Sequence, residues 1–177
     1  RRGDAYGGPL ENRARFLKEV LSAVREEVGA DYPVTIKLTA SDNLEGGFGL
    51  EEAVAVAKML QRWSIDAIEV SSGTAASGAL SPVRTGIATA QDEAYNADFA
   101  RAVKAAVDVP VMTVGGLRSF PVMTGLLETG GADLFSLSRP LIRQPDLVNT
   151  WRRDPGHRAT CTSCNGCFRP NPKGNLC

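Results

Sequence analysis

Four cysteines close the sequence as Cys161-x2-Cys164-x2-Cys167-x9-Cys177, and the chain has no others. Three thiols two residues apart on a tight turn can converge on one centre. The short loop Arg169-Pro170-Asn171-Pro172-Lys173-Gly174 can bring back a fourth. That spacing suits a 4Fe–4S cluster or a tetrahedral zinc better than a disulfide framework. His157, the single histidine, lies on the approach to this tail and reads as a loop residue, because four thiols already fill a tetrahedral site. A second group with chemical potential is Gly115-Gly116, where the lack of Cβ lets the main chain approach an oxyanion. Ser138-Arg139 would add a hydroxyl and a bidentate cation. Together they read as a phosphate site; the plainer alternative is a tight turn beside a solvated arginine. Lys37 interrupts an apolar run and needs an anion, since an unpaired buried ammonium is costly. Glu69 is one candidate partner, and an electron-rich part of a cofactor is the other.

The elements that must position these groups follow from periodicity. Gly8-Pro9 opens a helix whose apolar residues Phe16, Leu17, Val20, Leu21, Val24 and Val28 recur at helical spacing until Gly29. Strands are expected at 33–38, 65–70, 109–114 and 132–137, each a short apolar run, the first of them β-branched. Helices are expected between them at 50–63, 97–107 and 120–128, with a last short one at 144–152. Strands alternating with helices imply a parallel sheet with right-handed crossovers. In such sheets ligands bind at the carboxyl ends of the strands. Gly115-Gly116 follows the third strand and Ser138-Arg139 the fourth, so both fall at that rim. The helix beginning near Ser119 is expected to aim its free amides at the same place. Four strands are too few to close a (β/α)8 barrel, so the sheet is either small and open or half of a barrel.

Balanced charge, with 20 basic and 20 acidic residues, removes the electrostatic case for nucleic acid. No apolar run is long enough to span a bilayer. Clustered cysteines with none elsewhere suit a reducing, cytoplasmic compartment. The opening Arg1-Arg2-Gly3-Asp4 has neither Met nor an apolar leader, and the chain is therefore expected to be a fragment.

Several motifs, in order along the whole chain, resemble the Old Yellow Enzyme family of FMN-dependent oxidoreductases. Asp4-x-Tyr6-Gly7-Gly8-x-x-Glu11-Asn12-Arg13-x-Arg15-Phe16 is similar to the segment after that family's fourth strand. Val114-Gly115-Gly116-Leu117-Arg118 and Ser138-Arg139-Pro140-Leu141-Ile142 resemble its seventh- and eighth-strand motifs. Cys164-Asn165-x-Cys167 resembles the iron–sulfur branch that includes 2,4-dienoyl-CoA reductase and trimethylamine dehydrogenase. The gap from Cys167 to Cys177 is shorter than in the best-known cluster proteins.

The resemblance implies an α/β fold: the C-terminal half, strands five to eight, of a (β/α)8 TIM barrel, spanning 1–156, with a four-cysteine tail at 157–177. It implies FMN as cofactor and NAD(P)H as co-substrate, with hydride passing to an activated alkene such as an enone or enoyl-CoA. Gly115, Gly116, Ser138 and Arg139 match the phosphate cup, with Arg118 beside it. Lys37 matches a cation, usually Arg, that faces the flavin. Cys161, Cys164, Cys167 and Cys177 match the cluster ligands, with zinc as the alternative. Asp4, Tyr6, Asn12 and Arg13 look structural. The substrate-binding His/Asn pair and the proton-donating Tyr of the family would lie upstream, so this chain alone is expected to be inactive and to need the missing half-barrel or a second copy. The competing reading is a half-barrel that binds phosphate or a nucleotide without redox chemistry.

Overall fold

The computed structural model describes residues 2–168. Its strands are β1 (Thr35–Thr39), β2 (Ala67–Ser71), β3 (Val111–Val114) and β4 (Leu134–Ser136). All pair in parallel, and their spatial order is their order in sequence. A doubly wound sheet reverses strand order at a switch point. A sheet that never reverses keeps every crossover helix on one side, which is the arrangement of a barrel arc. The helices are α1 (Leu10–Arg13), α2 (Arg15–Val28), α3 (Leu50–Arg62), α4 (Ala97–Lys104), α5 (Phe120–Glu128), α6 (Arg139–Arg143) and α7 (Leu147–Arg153).

Strand residues alternate between two faces. Leu38, Ile68, Val70 and Val111 form one buried core with Leu21 of α2, Ala53, Val56, Ala57 and Leu60 of α3, and Ala100 and Val103 of α4. The opposite face carries Lys37, Glu69, Met112 and Leu134 in one row of register partners. That face is open: the Lys37 side chain is 55% exposed and Leu134 48% exposed. A second core of Leu117, Met123, Leu147, Trp151 and Ala159 joins α5 and α7 to the start of the cysteine segment. No helix among the described residues is long and apolar enough to cross a membrane.

The first helix differs from expectation. It is divided at Ala14, and Pro9 stands just before it as the N-cap. Its apolar residues also split into two stripes. Leu21 is buried and Leu17 packs on the core, whereas Phe16, Val20, Val24 and Val28 are exposed. A 100° step per residue turns one stripe toward the sheet and leaves its neighbour facing out. Tyr6 donates to Glu19 across 2.9 Å and Arg13 pairs with Glu52, so this N-terminal segment is tied to α2 and α3. The helix α6 escaped the sequence reading, because Pro140 hid a first-turn proline inside what read as a loop.

Two aspartates anchor strand starts. Asp133 accepts the Val111 amide at 2.9 Å and pairs with Lys104; Asp66 accepts the Val34 amide at 2.6 Å and pairs with Arg25. The Lys104 ammonium, then the Val111 amide, hold the Asp133 carboxyl below the usual carboxylate range. A depressed acid adds stability above its unfolded pKa of about 3.9 and loses it as pH falls through the lower folded value. Asp133→Asn is therefore expected to melt below the parent at pH 7, with the gap narrowing at pH 3. Melting curves showing an equal gap at both pH values would overturn this.

Candidate functional site

The loops leaving the carboxyl ends of the strands lock together. Gly73 donates its amide to the Ser41 carbonyl at 2.7 Å, and Asn43 donates to the Leu80 carbonyl at 3.0 Å. Asn96, 1% exposed, accepts from Ser72 at 2.6 Å and donates to the Val114 carbonyl at 2.7 Å. A buried amide bonded at both ends fixes the β2 and β3 loops relative to one another. Asn96 precedes α4 and looks like a helix cap, but its side chain makes no cap bond and serves the rim instead.

Gly115 and Gly116 are glycine for a reason the sequence did not reveal. Their φ values are +117° and +72°. A Cβ on Gly115 would lie 2.5 Å from Tyr95 Cε2, and one on Gly116 would lie 2.9 Å from Tyr95 Cδ1. The Tyr95 ring therefore presses on the turn. Its hydroxyl donates to the Pro82 carbonyl at 2.8 Å, and the Arg84 guanidinium stacks 4.4 Å from its centroid. The turn is rigid as well as open to the cavity it lines.

Two expectations at this rim are corrected. The amides at the start of α5 do not point at an external anion. Those of Arg118 and Ser119 donate to Glu93 Oε2 at 2.7 and 3.0 Å, and the Ser119 hydroxyl also donates to this carboxylate. Glu93 has a fully buried side chain and meets Arg158 Nε at 3.1 Å, so an internal anion already occupies that helix terminus. Arg118 does not offer its guanidinium as a free cation beside the cup. It is 1% exposed, donates from Nε to the Cys161 carbonyl at 3.1 Å and from Nη1 to the Leu117 carbonyl at 2.7 Å, and bonds the Ser163 hydroxyl through Nη2. Burial lowers its pKa from the ordinary arginine value, an effect opposed by Cys161. Arg118 thus clamps the cysteine segment onto the barrel arc.

All the expected cup residues nonetheless converge, Arg118 included. One cavity of about 210 Å³ is lined by Gly115, Gly116, Arg118, Ser138, Arg139 and Lys37, with Tyr95, Val83 and Phe168 among its other walls. Arg139, 7% exposed, is held through Nη1 by the Arg84 carbonyl at 2.8 Å and Asn165 Oδ1 at 2.5 Å. Lys37 pairs with Glu69, as the ion-pair reading expects, and also lines the same cavity. A guanidinium, a hydroxyl, an open main-chain turn and an ammonium around one space form a donor set that fits a phosphate with an electron-rich ring system attached. Glu93, Tyr95 and Asn96 escaped the sequence reading because they lie in one irregular stretch before α4, where no periodicity marks a face.

The cysteine segment turns twice, through positive φ at Ser163 (57°) and Asn165 (58°). The Gly166 amide donates to Cys164 Sγ at 3.4 Å, and Cys161 and Cys167 are buried. Among the described residues no three ligating side chains gather at one metal position. Cys177 lies outside the described residues. His157 behaves as a loop anchor: its carbonyl accepts from Trp151 at 2.8 Å and its Nε2 lies 3.2 Å from Gln144 Nε2.

An arc of parallel βα units in sequence order, with a cavity at the carboxyl rim, is the arrangement of part of a (β/α)8 barrel. The model of the NADH:flavin oxidoreductase / NADH oxidase family matches residues 1–154, and the chain belongs to that family. It is 33% identical over 172 residues to an NADH oxidase of Thermoanaerobacter brockii, covering 95% of this chain and 26% of that protein. Among solved structures, 2-naphthoyl-CoA reductase in complex with 2-naphthoyl-CoA aligns with a TM-score of 0.78 at 33% identity, over 95% of this chain and 25% of that one. Histamine dehydrogenase from Rhizobium sp. 4-9 aligns with a TM-score of 0.72 at 25% identity, over 86% and 21%. The chain thus spans about a quarter of the length of these relatives. The expected partial TIM barrel stands, and the sheet is neither doubly wound nor a different α/β class.

Proposed function

We propose that this chain is the FMN-holding half of a (β/α)8 oxidoreductase that takes electrons from NAD(P)H and reduces an activated alkene, of the enone or enoyl-CoA kind. The observation that carries the reading is the single cavity shared by Gly115, Gly116, Ser138, Arg139 and Lys37. In it, Ser138, Arg139 and the glycine turn hold the FMN phosphate, and Lys37 sets a positive charge beside the ring. When bound, FMN supplies the two-electron carrier that side chains lack. The CoA thioester in the 2-naphthoyl-CoA reductase structure supports the substrate class.

Titrating the protein with FMN tests the reading. Micromolar uptake is expected, with Arg139→Ala weakening it at least tenfold through loss of a charged donor, about 1.4 kcal/mol or more. Binding of inorganic phosphate but no FMN would replace this reading with the phosphate-binding module. The open face bearing Lys37 and Leu134 is covered, in this proposal, by the other half of a barrel or by a second copy. The 177-residue chain alone is expected to show no turnover with cyclohexenone.

The four cysteines are proposed to hold a 4Fe–4S cluster, with zinc as the alternative. The double turn and the amide-to-sulfur bond at Cys164 support a thiolate site. Metal analysis together with visible absorbance that bleaches on oxidation distinguishes iron–sulfur from zinc.

A further inference from the structure

Among the described residues, Glu69 is the carboxylate that meets Lys37, and its placement is specific. Lys37 and Glu69 are register partners on β1 and β2. The carboxylate pairs with the lysine through Oε1, while Oε2 accepts from the Ser136 hydroxyl of β4 at 2.9 Å. Lys37 and Ser136 both line the cavity. The carboxylate thus spans β3 and is held from both sides by residues of the cavity wall.

Stability does not explain this arrangement. The Lys37 side chain is 55% exposed, and ion pairs so open to water contribute about 0–1 kcal/mol. The larger consequence is electrostatic. An ammonium alone favours added negative charge in the cavity; an ammonium paired with a carboxylate favours it much less, because the two fields oppose. We propose that Glu69, fixed by Ser136, is a positioning residue that holds Lys37 and sets the reduction potential of the bound flavin below the value Lys37 alone would give. The proposal rests on the flavin reading above and adds to it a tuning group that the family match does not supply.

The experiment is a dye-referenced reductive titration of the FMN-loaded protein. Glu69→Gln keeps size and shape but removes the charge. It is expected to raise the potential by at least a tenfold change in the two-electron equilibrium, about 30 mV. Lys37→Met is expected to lower it by a similar amount, and adding Glu69→Gln to Lys37→Met is expected to bring it back toward the parent value, because both opposing fields are then gone. Ser136→Ala leaves the carboxylate charge less dispersed and is expected to move the potential down by a smaller amount, which keeps the test open if Glu69→Gln fails to fold. An unchanged or lowered potential in Glu69→Gln, or a double variant that stays at the Lys37→Met value, overturns the proposal. A folded protein that takes up no FMN overturns the functional reading first and this inference with it; normal FMN uptake with no potential shift overturns the inference alone.

Discussion

Glu93→Leu is expected to destabilise the fold by about 3–5 kcal/mol, the cost of removing one side of a buried charged network. The Glu93 side chain has no exposed surface, and its two oxygens serve the Arg118 and Ser119 amides, the Ser119 hydroxyl and Arg158. Leucine fills similar space but leaves two amides at the start of α5 without an acceptor, and each orphaned buried donor costs about 1–3 kcal/mol. Arg158, 39% exposed, can turn to water, so Arg158→Ala should cost much less. Denaturant melts of the two variants make the comparison. A loss below about 1 kcal/mol for Glu93→Leu would show that water replaces the carboxylate without penalty. The same variant should also loosen the cysteine segment, because Ser119 bridges to Arg158 and the Arg118 carbonyl accepts the Ala159 amide at 2.7 Å.

Gly115→Ala is expected to damage both the rim and the cavity. The new Cβ would lie 2.5 Å from the Tyr95 ring and 2.8 Å from Asn96 Nδ2, on a backbone at φ +117°. Overpacking of this kind costs about 1–3 kcal/mol. Unfavourable backbone geometry adds about 1–3 kcal/mol. Displacing Tyr95 also moves a wall of the cavity, so FMN affinity should fall along with stability. A double-mutant cycle separates the causes. In a Tyr95→Ala background the steric part should vanish and only the backbone part remain. If Gly115→Ala costs the same in both backgrounds, the ring contact is not the reason for the glycine.

Both predictions concern residues whose importance follows from contacts between distant parts of the chain. Glu93 and Ser119 are far apart in sequence, and nothing in the run Asp92-Glu93-Ala94-Tyr95 marks one acid as buried and the other as exposed. Arg118 reads as a neighbour of the phosphate cup, and its role as a clamp shows only in its bonds to Cys161 and Ser163. The same holds for α2: Phe16 and Leu21 have the same hydrophobic character, and only the direction of the sheet separates the exposed stripe from the buried one.

What was legible along the chain was local or periodic. Helical runs alternating with short apolar runs are enough to specify parallel βα units, and a turn immediately after a parallel strand must fall at the carboxyl rim. For that reason the sequence alone brings Gly115, Gly116, Ser138, Arg139 and Lys37 to one end of one sheet, and they line one cavity. Contacts that close through space were not legible. The acceptor for the α5 amides, the ring that requires the glycines, and the fastening of Arg118 and Arg139 to the cysteine turn all join segments separated by tens of residues. Hydrogen bonding and steric exclusion act on distance in space, and separation along a chain carries no such distance until the fold has set it.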